Sequence, residues 1–186
     1  QNRLDPDGMR LLAAIAVARQ VYDDAAFLLE TALELAPGPE LRLEYAKVLF
    51  RKHDYAGTRR EVQQLIDETP DSPPALLLRA HLSAATGRYE QALVDYARVE
   101  SSFAADPTFQ VSFGHALKTL GKQEEAVERY RKAYALRPDF GDAYWSLANL
   151  KTYRFVAGEA RAMETALRRG TTLEADRIHL HFALAK

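Results

Sequence analysis

The chain has 186 residues, of which 47% are hydrophobic and 27% are charged, enough for the core of one domain or one short repeat array. A formal net charge of −1 excludes an overall basic field that would attract nucleic acid or an anionic membrane. There is no cysteine, which excludes disulfides and thiolate metal sites, and no apolar run approaches the ~18–20 residues of a transmembrane helix. We therefore expect no nucleic-acid or membrane partner and predict a cytoplasmic protein. A leader removed before Gln1 is the open alternative.

Three sequence markers recur along the chain with one period. The residue that begins every second helix is aromatic at Tyr22, Tyr55 and Tyr89, with Gln123 in the fourth place. A small residue follows three positions later, at Ala25, Thr58, Ala92 and Ala126. A proline ends the second helix at Pro37, Pro70 and Pro138, with Ala104 in the remaining place. The first two markers repeat in steps of 33, 34 and 34 residues, which predicts stacked helix–turn–helix units.

The period divides the first part of the chain into four units, at residues 6–38, 39–72, 73–106 and 107–140. In the first three units we predict helices at 7–20 and 23–36, 40–52 and 55–68, and 74–86 and 89–101. The first helix is apolar at Leu11, Leu12, Ile15 and Ala16, and Asp23 is a candidate N-cap of the second. These patterns predict amphipathic helices around a shared core.

The fourth unit is the most regular. Its small Ala126 lets two helices approach closely, with Tyr130 among the side chains that fill the space between them. Gly121 provides the left-handed turn that a side chain with a Cβ resists. The first two units lack this glycine, because Gln20 and His53 stand in its place.

Only a first helix of a fifth unit follows, predicted at 142–152 within a partial unit at 141–153. The repeat pattern then breaks, and residues 154–186 are predicted to form capping helices at 158–169 and 173–185. The last of these is apolar at Ile178, Leu180, Phe182 and Leu184. It stops at Lys186 without a glycine, a proline or a polar tail, so we expect a downstream domain in a longer protein.

The pattern is most complete in the segments SFGHALKTLG (112–121), EAVERY (125–130) and AYALRP (133–138). In these segments the chain resembles the tetratricopeptide repeat (TPR) family, and the resemblance extends over nearly its whole length. It implies an all-α fold, a right-handed α-solenoid of helix–turn–helix units. In that fold the first helix of each unit lines a concave groove that holds other proteins.

A narrower resemblance covers about residues 107–186. The segments DFGDAYWSLANLKTYRF (139–155), METAL (163–167) and DRIHLHFALAK (176–186) are similar to the repeat region of bacterial TPR-containing sulfotransferases. In those proteins a repeat array precedes a domain that uses 3′-phosphoadenylyl sulfate. The chain has no glycine-rich phosphate loop, so the resemblance implies the non-catalytic arm of such an enzyme.

Counting from the first residue of each unit, the groove is expected to be lined by residues at the fifth, ninth, twelfth and thirteenth positions. We refer to the following twelve residues as the groove set: Leu43, Lys47, Phe50, Arg51, Leu77, His81, Val111, His115, Lys118, Trp145, Asn149 and Tyr153. They mix aromatic, aliphatic and basic side chains. This composition predicts a peptide or protein partner held by apolar anchoring and charge steering.

Two interpretations of the groove remain open. In the first, the chain is a protein-interaction scaffold. In the second, it is a structural or oligomerisation module whose groove is filled by its own C-terminal helices or by a second copy. The sole tryptophan, Trp145, bears on both, because a groove tryptophan is a typical binding hot spot but packing against the C-terminal helices is the favoured prediction. The oligomeric state is left open.

The sequence offers no catalytic, cofactor or metal site. His81 and His115 occupy the same position in consecutive units, so we expect them to be neighbours, as ordinary groove residues rather than a metal or pH-sensitive pair. His179 and His181 are two residues apart on a helix and are predicted to point to different faces. We therefore predict that this chain is not an enzyme.

Overall fold

The computed structural model describes residues 5–186, and within that range the chain forms eleven α-helices and no β-strand. In chain order the helices are α1 (Pro6–Ala18), α2 (Tyr22–Leu35), α3 (Pro39–Arg51), α4 (Tyr55–Glu68), α5 (Pro73–Ala85), α6 (Tyr89–Phe103), α7 (Pro107–Thr119), α8 (Gln123–Leu136), α9 (Gly141–Ala148), α10 (Ala157–Arg168) and α11 (Glu174–Leu184). The predicted all-α architecture of helix–turn–helix units is confirmed.

The helices that open the first four repeats, α1, α3, α5 and α7, each begin with a proline. Proline has no backbone N–H, and at this position of a helix that group would have no partner within the helix. Asp5 and Asp106 cap α1 and α7, because their carboxylates accept bonds from the first backbone amides. Asp54 caps α4 in the same way, through the amide of Gly57. Asp23, the candidate N-cap of α2, lies inside the helix instead, and Val21 takes the cap position. The Asp23 carboxylate pairs with Lys52 at 2.7 Å.

The turns inside the four hairpins share one conformation. Gln20, His53, Gly87 and Gly121 all have positive φ, at 61°, 62°, 77° and 77°. The amide after each of them donates to a carbonyl five residues back, as in Val21 to Ala16 and Lys122 to Leu117. The same turn is therefore present in the first two repeats although these repeats have no glycine at that position.

The chain separates into two compact units, one ending at Val99 and the other running from Glu100 to Lys186. The core of the first unit is a cluster of alanine and leucine side chains with Tyr45 between α1, α2 and α3. Deeper along this unit, Arg79 of α5 donates to both oxygens of Asp95 of α6, at 2.8 and 2.6 Å. Asp95 is fully buried, and a buried carboxylate requires a partner, which this bidentate ion pair with Arg79 provides.

In the second unit α7 and α8 approach very closely. A Cβ added at Gly114 would lie 2.6 Å from the Tyr130 ring, so the glycine makes room for the tyrosine. Ala126, Tyr130 and Phe113 are all buried here, as the sequence predicted. Farther along, Tyr144 of α9 packs with Met163 of α10 and Leu180 of α11 in a second apolar cluster.

Two buried carboxylates attach α10 and α11 to the rest of the second unit. Asp176 of α11 accepts bonds from Arg137 at 2.7 Å and from the backbone amide of Gly141 at 2.9 Å. Glu159 of α10 accepts bonds from the hydroxyls of Tyr134 and Tyr153, at 2.9 and 2.5 Å. The C-terminal helices are therefore held by specific polar contacts as well as by apolar packing.

The predicted helix at 142–152 is wrong in its second half, because α9 ends at Ala148. After α9 the backbone amides of Leu150 and Tyr153 bond to carbonyls three residues back, at Leu147 and Leu150, which is the pattern of a turn and not of an α-helix. The ammonium of Lys186 donates to the carbonyls of Ala148 and Leu150, the second at 2.6 Å. Residues 149–156 consequently form a turn and an extended segment that leads into α10.

The apolar positions predicted at the two ends are only partly buried. In α1, Leu11, Leu12 and Ile15 are exposed, while the buried residue is Ala13. In α11, Ile178 and Phe182 are exposed, while Leu180 and Ala183 are buried. Residues spaced by two point to different sides of a helix, so the alternating pattern at 178–184 does not form one face.

Candidate functional site

The groove set lies on α3 and α5 in the first unit, and on α7, α9 and the segment after α9 in the second. In the first unit the members are Leu43, Lys47, Phe50, Arg51, Leu77 and His81. All six are at least partly exposed, so all are available to a ligand.

A surface cavity of about 230 Å³ opens in the first unit between α1 and α3. Its apolar lining consists of small or aliphatic side chains from three helices, namely Ala13, Ala14, Val17, Leu29 and Val48. Its charged lining consists of Arg10, Glu44, Lys47 and Arg51. Lys47 and Arg51 are the two members of the groove set at this cavity.

Some of the charged side chains around the cavity form ion pairs and others do not. Arg10 binds Glu44 with Nε at 3.0 and 2.9 Å from the two carboxylate oxygens, so these two charges neutralise each other. This pair also raises the pKa of Arg10, chiefly through the hydrogen bond to Glu44. Lys47 and Arg51 form no ion pair with any residue of the range 5–186. The cavity is thus apolar inside and carries two uncompensated positive charges on α3.

Beside the cavity, aromatic rings connect α3 to α5. The Phe50 ring lies 6.4 Å from the His81 ring, and His81 makes an edge contact with Tyr96 at 5.8 Å. Phe50 also contacts Tyr55, at 5.9 Å. His81 is therefore part of an aromatic row. Whether it neighbours His115 stays a prediction, because the two residues belong to different units.

In the second unit the groove set is less accessible. Val111 is buried in α7 and does not reach the surface, so it is not available to a ligand. His115 is half-buried, with Nε2 at 3.0 Å from the Ser146 hydroxyl and its ring 5.6 Å from Tyr130. This burial lowers the pKa of His115, because desolvation disfavours the charged imidazolium.

Trp145 is 39% exposed and stacks on His179 of α11, with ring centroids 5.3 Å apart. Its environment therefore contains both a C-terminal helix and solvent. Asn149 is exposed and Lys118 is half-buried. Tyr153 is committed to the polar network around Glu159, and it also accepts a bond from Arg131 at 3.1 Å.

Glu159 is the centre of that network. Burial by itself would raise its pKa, but bonds from Tyr153, the amide of Val156 and Tyr134 outweigh the burial and lower the pKa. Burial of Tyr153, together with its hydrogen bond to Glu159, raises the pKa of Tyr153 to about 12. These groups therefore hold α10 in place, and in this role Tyr153 is a structural residue.

The described residues contain no group of three or more histidine, cysteine, aspartate or glutamate side chains placed to bind a metal. Among the helices of residues 5–186, none has both the length and the apolar character required to cross a membrane. His179 stacks on Trp145 while His181 is exposed.

The groove positions of the repeat identified Lys47 and Arg51 and, in α1, Arg10, Ala14 and Val17, but not the rest of the apolar lining. Ala13, Leu29 and Val48 appear in the sequence as ordinary core positions, and the structure places them among the residues that line the cavity. The available signal was the pair Ala13–Ala14 in α1, because two small neighbouring residues leave room where a larger side chain would fill the space.

Comparisons with known proteins agree with this architecture. The family model described as TPR repeat matches residues 114–151. The small glutamine-rich tetratricopeptide repeat-containing protein 2 of Mycosarcoma maydis is 30% identical over 108 residues, which is 56% of this chain and 30% of that protein. The chain thus spans less than a third of the length of this curated relative.

Among solved structures, the thermophilic TPR protein TTC0263 of Thermus thermophilus has a TM-score of 0.74 and 20% identity, with 98% of this chain and all of that chain covered. MamA from Desulfovibrio magneticus RS-1 has a TM-score of 0.67 and 14% identity, with 97% and 93% covered. The chain therefore has the fold of TPR proteins. The repeat match supports the predicted resemblance to TPR proteins over residues 114–151.

Proposed function

We propose that this chain is a protein-interaction scaffold that binds an extended acidic peptide or protein segment through the first helices of its repeats. The observation that carries the proposal is the cavity of about 230 Å³ between α1 and α3, with unpaired Lys47 and Arg51 beside an apolar lining. An acidic segment with one aliphatic or aromatic residue complements both features.

The size of the cavity supports an apolar anchor. Apolar cavities of about 150 Å³ accept a benzene ring, so a leucine or phenylalanine side chain of a ligand fits here. The partly exposed Phe50–His81 row next to it offers aromatic surface for a further ligand residue. Charge then selects the orientation and partner, since cations at the rim of an interface act mainly on specificity and association rate.

The test uses short fluorescein-labelled peptides with a central leucine or phenylalanine flanked by two glutamates, and matched peptides flanked by two lysines. We expect the acidic peptides to bind in fluorescence anisotropy and the basic peptides not to bind. Lys47→Glu with Arg51→Glu should weaken binding at least about 10-fold. The matched control, Arg59→Glu with Arg60→Glu on α4, makes the same change of net charge and should change it less than about 2-fold. Equal binding of both peptide classes contradicts the proposal.

We also propose that the scaffold is the non-catalytic arm of a bacterial sulfotransferase. The support is the sequence at 139–155, 163–167 and 176–186, which is similar to the repeat region of such enzymes. Sequencing the gene beyond the codon for Lys186 tests this directly. A downstream strand followed by a phosphate-binding loop is the expected result, and a stop codon at that point overturns it. If the enzyme domain is present, deleting this arm should impair protein-substrate selection and spare nucleotide binding.

A second candidate function is a structural module that fills part of its own groove. The observation that favours it lies in the second unit, where α11 packs along α9 and His179 covers one side of Trp145. Under this alternative no peptide protects Trp145 from acrylamide quenching, and binding is absent from both units. Protection of Trp145 by a bound peptide would exclude it.

A further inference from the structure

A second surface cavity, of about 320 Å³, opens between the N-terminal ends of α1 and α3. Its lining comes from the start of each helix and from the connection that leads into α3, namely Pro6, Asp7, Arg10, Ala36, Gly38, Pro39, Glu40 and Leu41. Arg10 also lines the cavity described above, which we now call the first cavity. The two cavities are therefore neighbours in one cleft between α1 and α3, and Arg10 lies where they meet.

An ion pair crosses the cleft at this point. Arg10 donates from Nε to both carboxylate oxygens of Glu44, at 3.0 and 2.9 Å, and its guanidinium lies 3.9 Å from a carboxylate oxygen of Glu40. The pKa of Arg10 is raised chiefly by the hydrogen bond to Glu44, and the negative charges of Glu40 and Asp7 add to the increase. Three carboxylates against one guanidinium leave this end of the cleft with a formal charge of −2.

The other end of the cleft is positive. In α3 four charged residues follow one another at steps of four, three and four, in the order Glu40, Glu44, Lys47 and Arg51. At 3.6 residues per turn they stay within about 60° around the helix, so they form one row along the cleft. Lys47 and Arg51 line the first cavity, and neither is in an ion pair within residues 5–186. The charge therefore changes sign from the second cavity to the first.

The carboxylates of the second cavity are available to a ligand. Asp7 is exposed, and the Glu40 side chain is 84% exposed. The N-terminus of α1 already has a cap, because Asp5 accepts bonds from the amides of Asp7 and Gly8, and no side chain caps α3. Each helix N-terminus carries a partial charge of about +0.5, which offsets part of the negative charge but does not reverse its sign.

We propose that the cleft between α1 and α3 binds an extended segment of a partner protein in which an apolar residue lies between an acidic residue and a basic one. The apolar residue enters the first cavity, and the acidic residue lies beside Lys47 and Arg51. A lysine or arginine of the partner reaches the second cavity, beside Asp7 and Glu40. This inference rests on the proposed function and adds to it the order of charges that the ligand must have.

Helix geometry gives the spacing of the three ligand residues. Lys47 lies seven residues beyond Glu40 in α3, and Ala14 of the first cavity lies seven residues beyond Asp7 in α1. At 1.5 Å per residue both separations are about 10 Å. An extended peptide advances about 3.3 Å per residue, so the basic residue belongs about three positions from the apolar one. Arg51 is about 6 Å beyond Lys47, so the acidic residue belongs about two positions away on the other side.

The first experiment measures how one positive charge on the ligand changes its affinity. A fluorescein-labelled peptide with blocked ends has the sequence Lys-Ala-Ala-Leu-Ala-Glu, and a second peptide has the reverse sequence, so that both chain directions are covered. The matched peptides carry Nε-acetyl-lysine in place of lysine, which removes the charge and keeps the side chain. In fluorescence anisotropy we expect lysine to improve the affinity at least about 3-fold in one of the two directions.

The outcome separates this inference from the proposed function. If the acetyl-lysine peptides bind and lysine gives no improvement in either direction, the order of charges is wrong and the proposed function stands. If none of the four peptides binds, both are wrong. Because the effect is a ratio between two peptides on one protein, it does not depend on how tightly the leucine is held.

The second experiment locates the effect on the protein. Asp7→Asn with Glu40→Gln should reduce the improvement from lysine to less than about 1.5-fold, since it removes the two charges that face the cation. The matched control is Asp67→Asn with Glu68→Gln, which makes the same change of charge at exposed positions of α4 and should keep the improvement. An unchanged improvement in the first variant overturns the proposed position of the basic residue.

The third experiment uses the ion pair that crosses the cleft. Arg10→Gln and Glu44→Gln break the same contact, so a merely structural effect would be alike in both variants. The formal charge of this end becomes −3 in the first variant and −1 in the second. The improvement from lysine should therefore increase about 2-fold in Arg10→Gln and decrease about 2-fold in Glu44→Gln. A change in the same direction in both variants contradicts the proposal.

Discussion

The first and last helices of the described chain differ in whether they bury a large aliphatic side chain. α11 buries Leu180 and Ala183 against α9 and α10 and is anchored by Asp176 and its neighbours. α1 leaves Leu11, Leu12 and Ile15 open to solvent. The C-terminal helix therefore buries part of its apolar surface within the chain, whereas the three large aliphatic residues of the N-terminal helix are exposed in the described residues. The contrast shows that similar apolar content is partly buried in one helix and left exposed in the other.

The largest expected effect comes from making the same substitution in both helices. Leu180 is fully buried, so Leu180→Ala should lower the free energy of unfolding by about 3–4 kcal/mol through lost burial and a residual cavity. Leu12→Ala removes a side chain that is 55% exposed and should cost less than about 0.5 kcal/mol in the monomer. Urea unfolding at a concentration where the chain is monomeric measures both. Equal losses would contradict the contrast between the two helices.

The attachment of α11 can be broken at its tightest point. A Cβ at Gly141 would lie 2.2 Å from the backbone oxygen of Asp176, and backbone cannot give way as a side chain end can. Gly141→Ala should therefore displace α11 and cost about 2–3 kcal/mol. Gly158→Ala in α10 is the matched control, because nothing lies within 4 Å of its added Cβ. The control should be neutral or stabilising by up to about 1 kcal/mol.

The anchor of α10 should be sensitive to acid. The folded state lowers the pKa of Glu159, so its contribution to stability is fully present above the ordinary glutamate pKa of about 4.3. That contribution is lost as the pH falls through the lowered folded-state value. Glu159→Gln removes it at all pH values, with an expected cost of about 1–2 kcal/mol at neutral pH.

Urea unfolding at neutral pH and at a series of values below about pH 4.5, followed by the fluorescence of Trp145, measures this effect. The Glu159→Gln variant should lose less stability over that acid range than the unaltered chain. Parallel pH curves for the two proteins would show that Glu159 is not the anchor. Glu164, an exposed carboxylate of the same helix, provides the control Glu164→Gln, which should leave the pH curve unchanged.

The smallest expected effect concerns the hairpin turns. Gln20 holds a left-handed conformation in the first hairpin that Gly121 holds in the fourth. A residue with a Cβ is strained there by about 1 kcal/mol, so Gln20→Gly should stabilise the chain by roughly 0.5–1 kcal/mol. Gly121→Gln is the converse change and should destabilise it by a similar amount. Thermal unfolding of the two variants measures both, and a loss of stability in Gln20→Gly would contradict the strain.

Much of the fold could be predicted from the sequence because the repeat period is local information. The steps of 33 and 34 residues located the first six helices to within two residues, and the break after the partial fifth repeat located the last two helices to within one residue. The end of α9 could not be predicted in this way. The turn that follows α9 contacts Lys186, which lies 36 residues beyond Leu150, and no local pattern contains that contact.

The candidate site was less predictable because exposure depends on neighbours. Lys47 and Arg51 were identified by their position in the repeat, and they line the cavity. Val111 was identified in the same way, but it is buried. Likewise, the apolar pattern of α1 predicts a buried face, and the described residues offer nothing to bury it. An amphipathic pattern states that a surface favours a partner but does not state whether that partner belongs to the same chain.

One contact in the second unit also constrains the order in which the protein is made. Phe140 precedes α9 without a side-chain cap, and the amide of Gly141 finds its acceptor in Asp176, 35 residues later. At a synthesis rate of about 5–20 residues per second, α9 waits roughly 2–7 s for that residue to be added to the growing chain. During this interval the apolar residues of α9 are without their final cover. The final packing of α9 therefore follows the translation of α11.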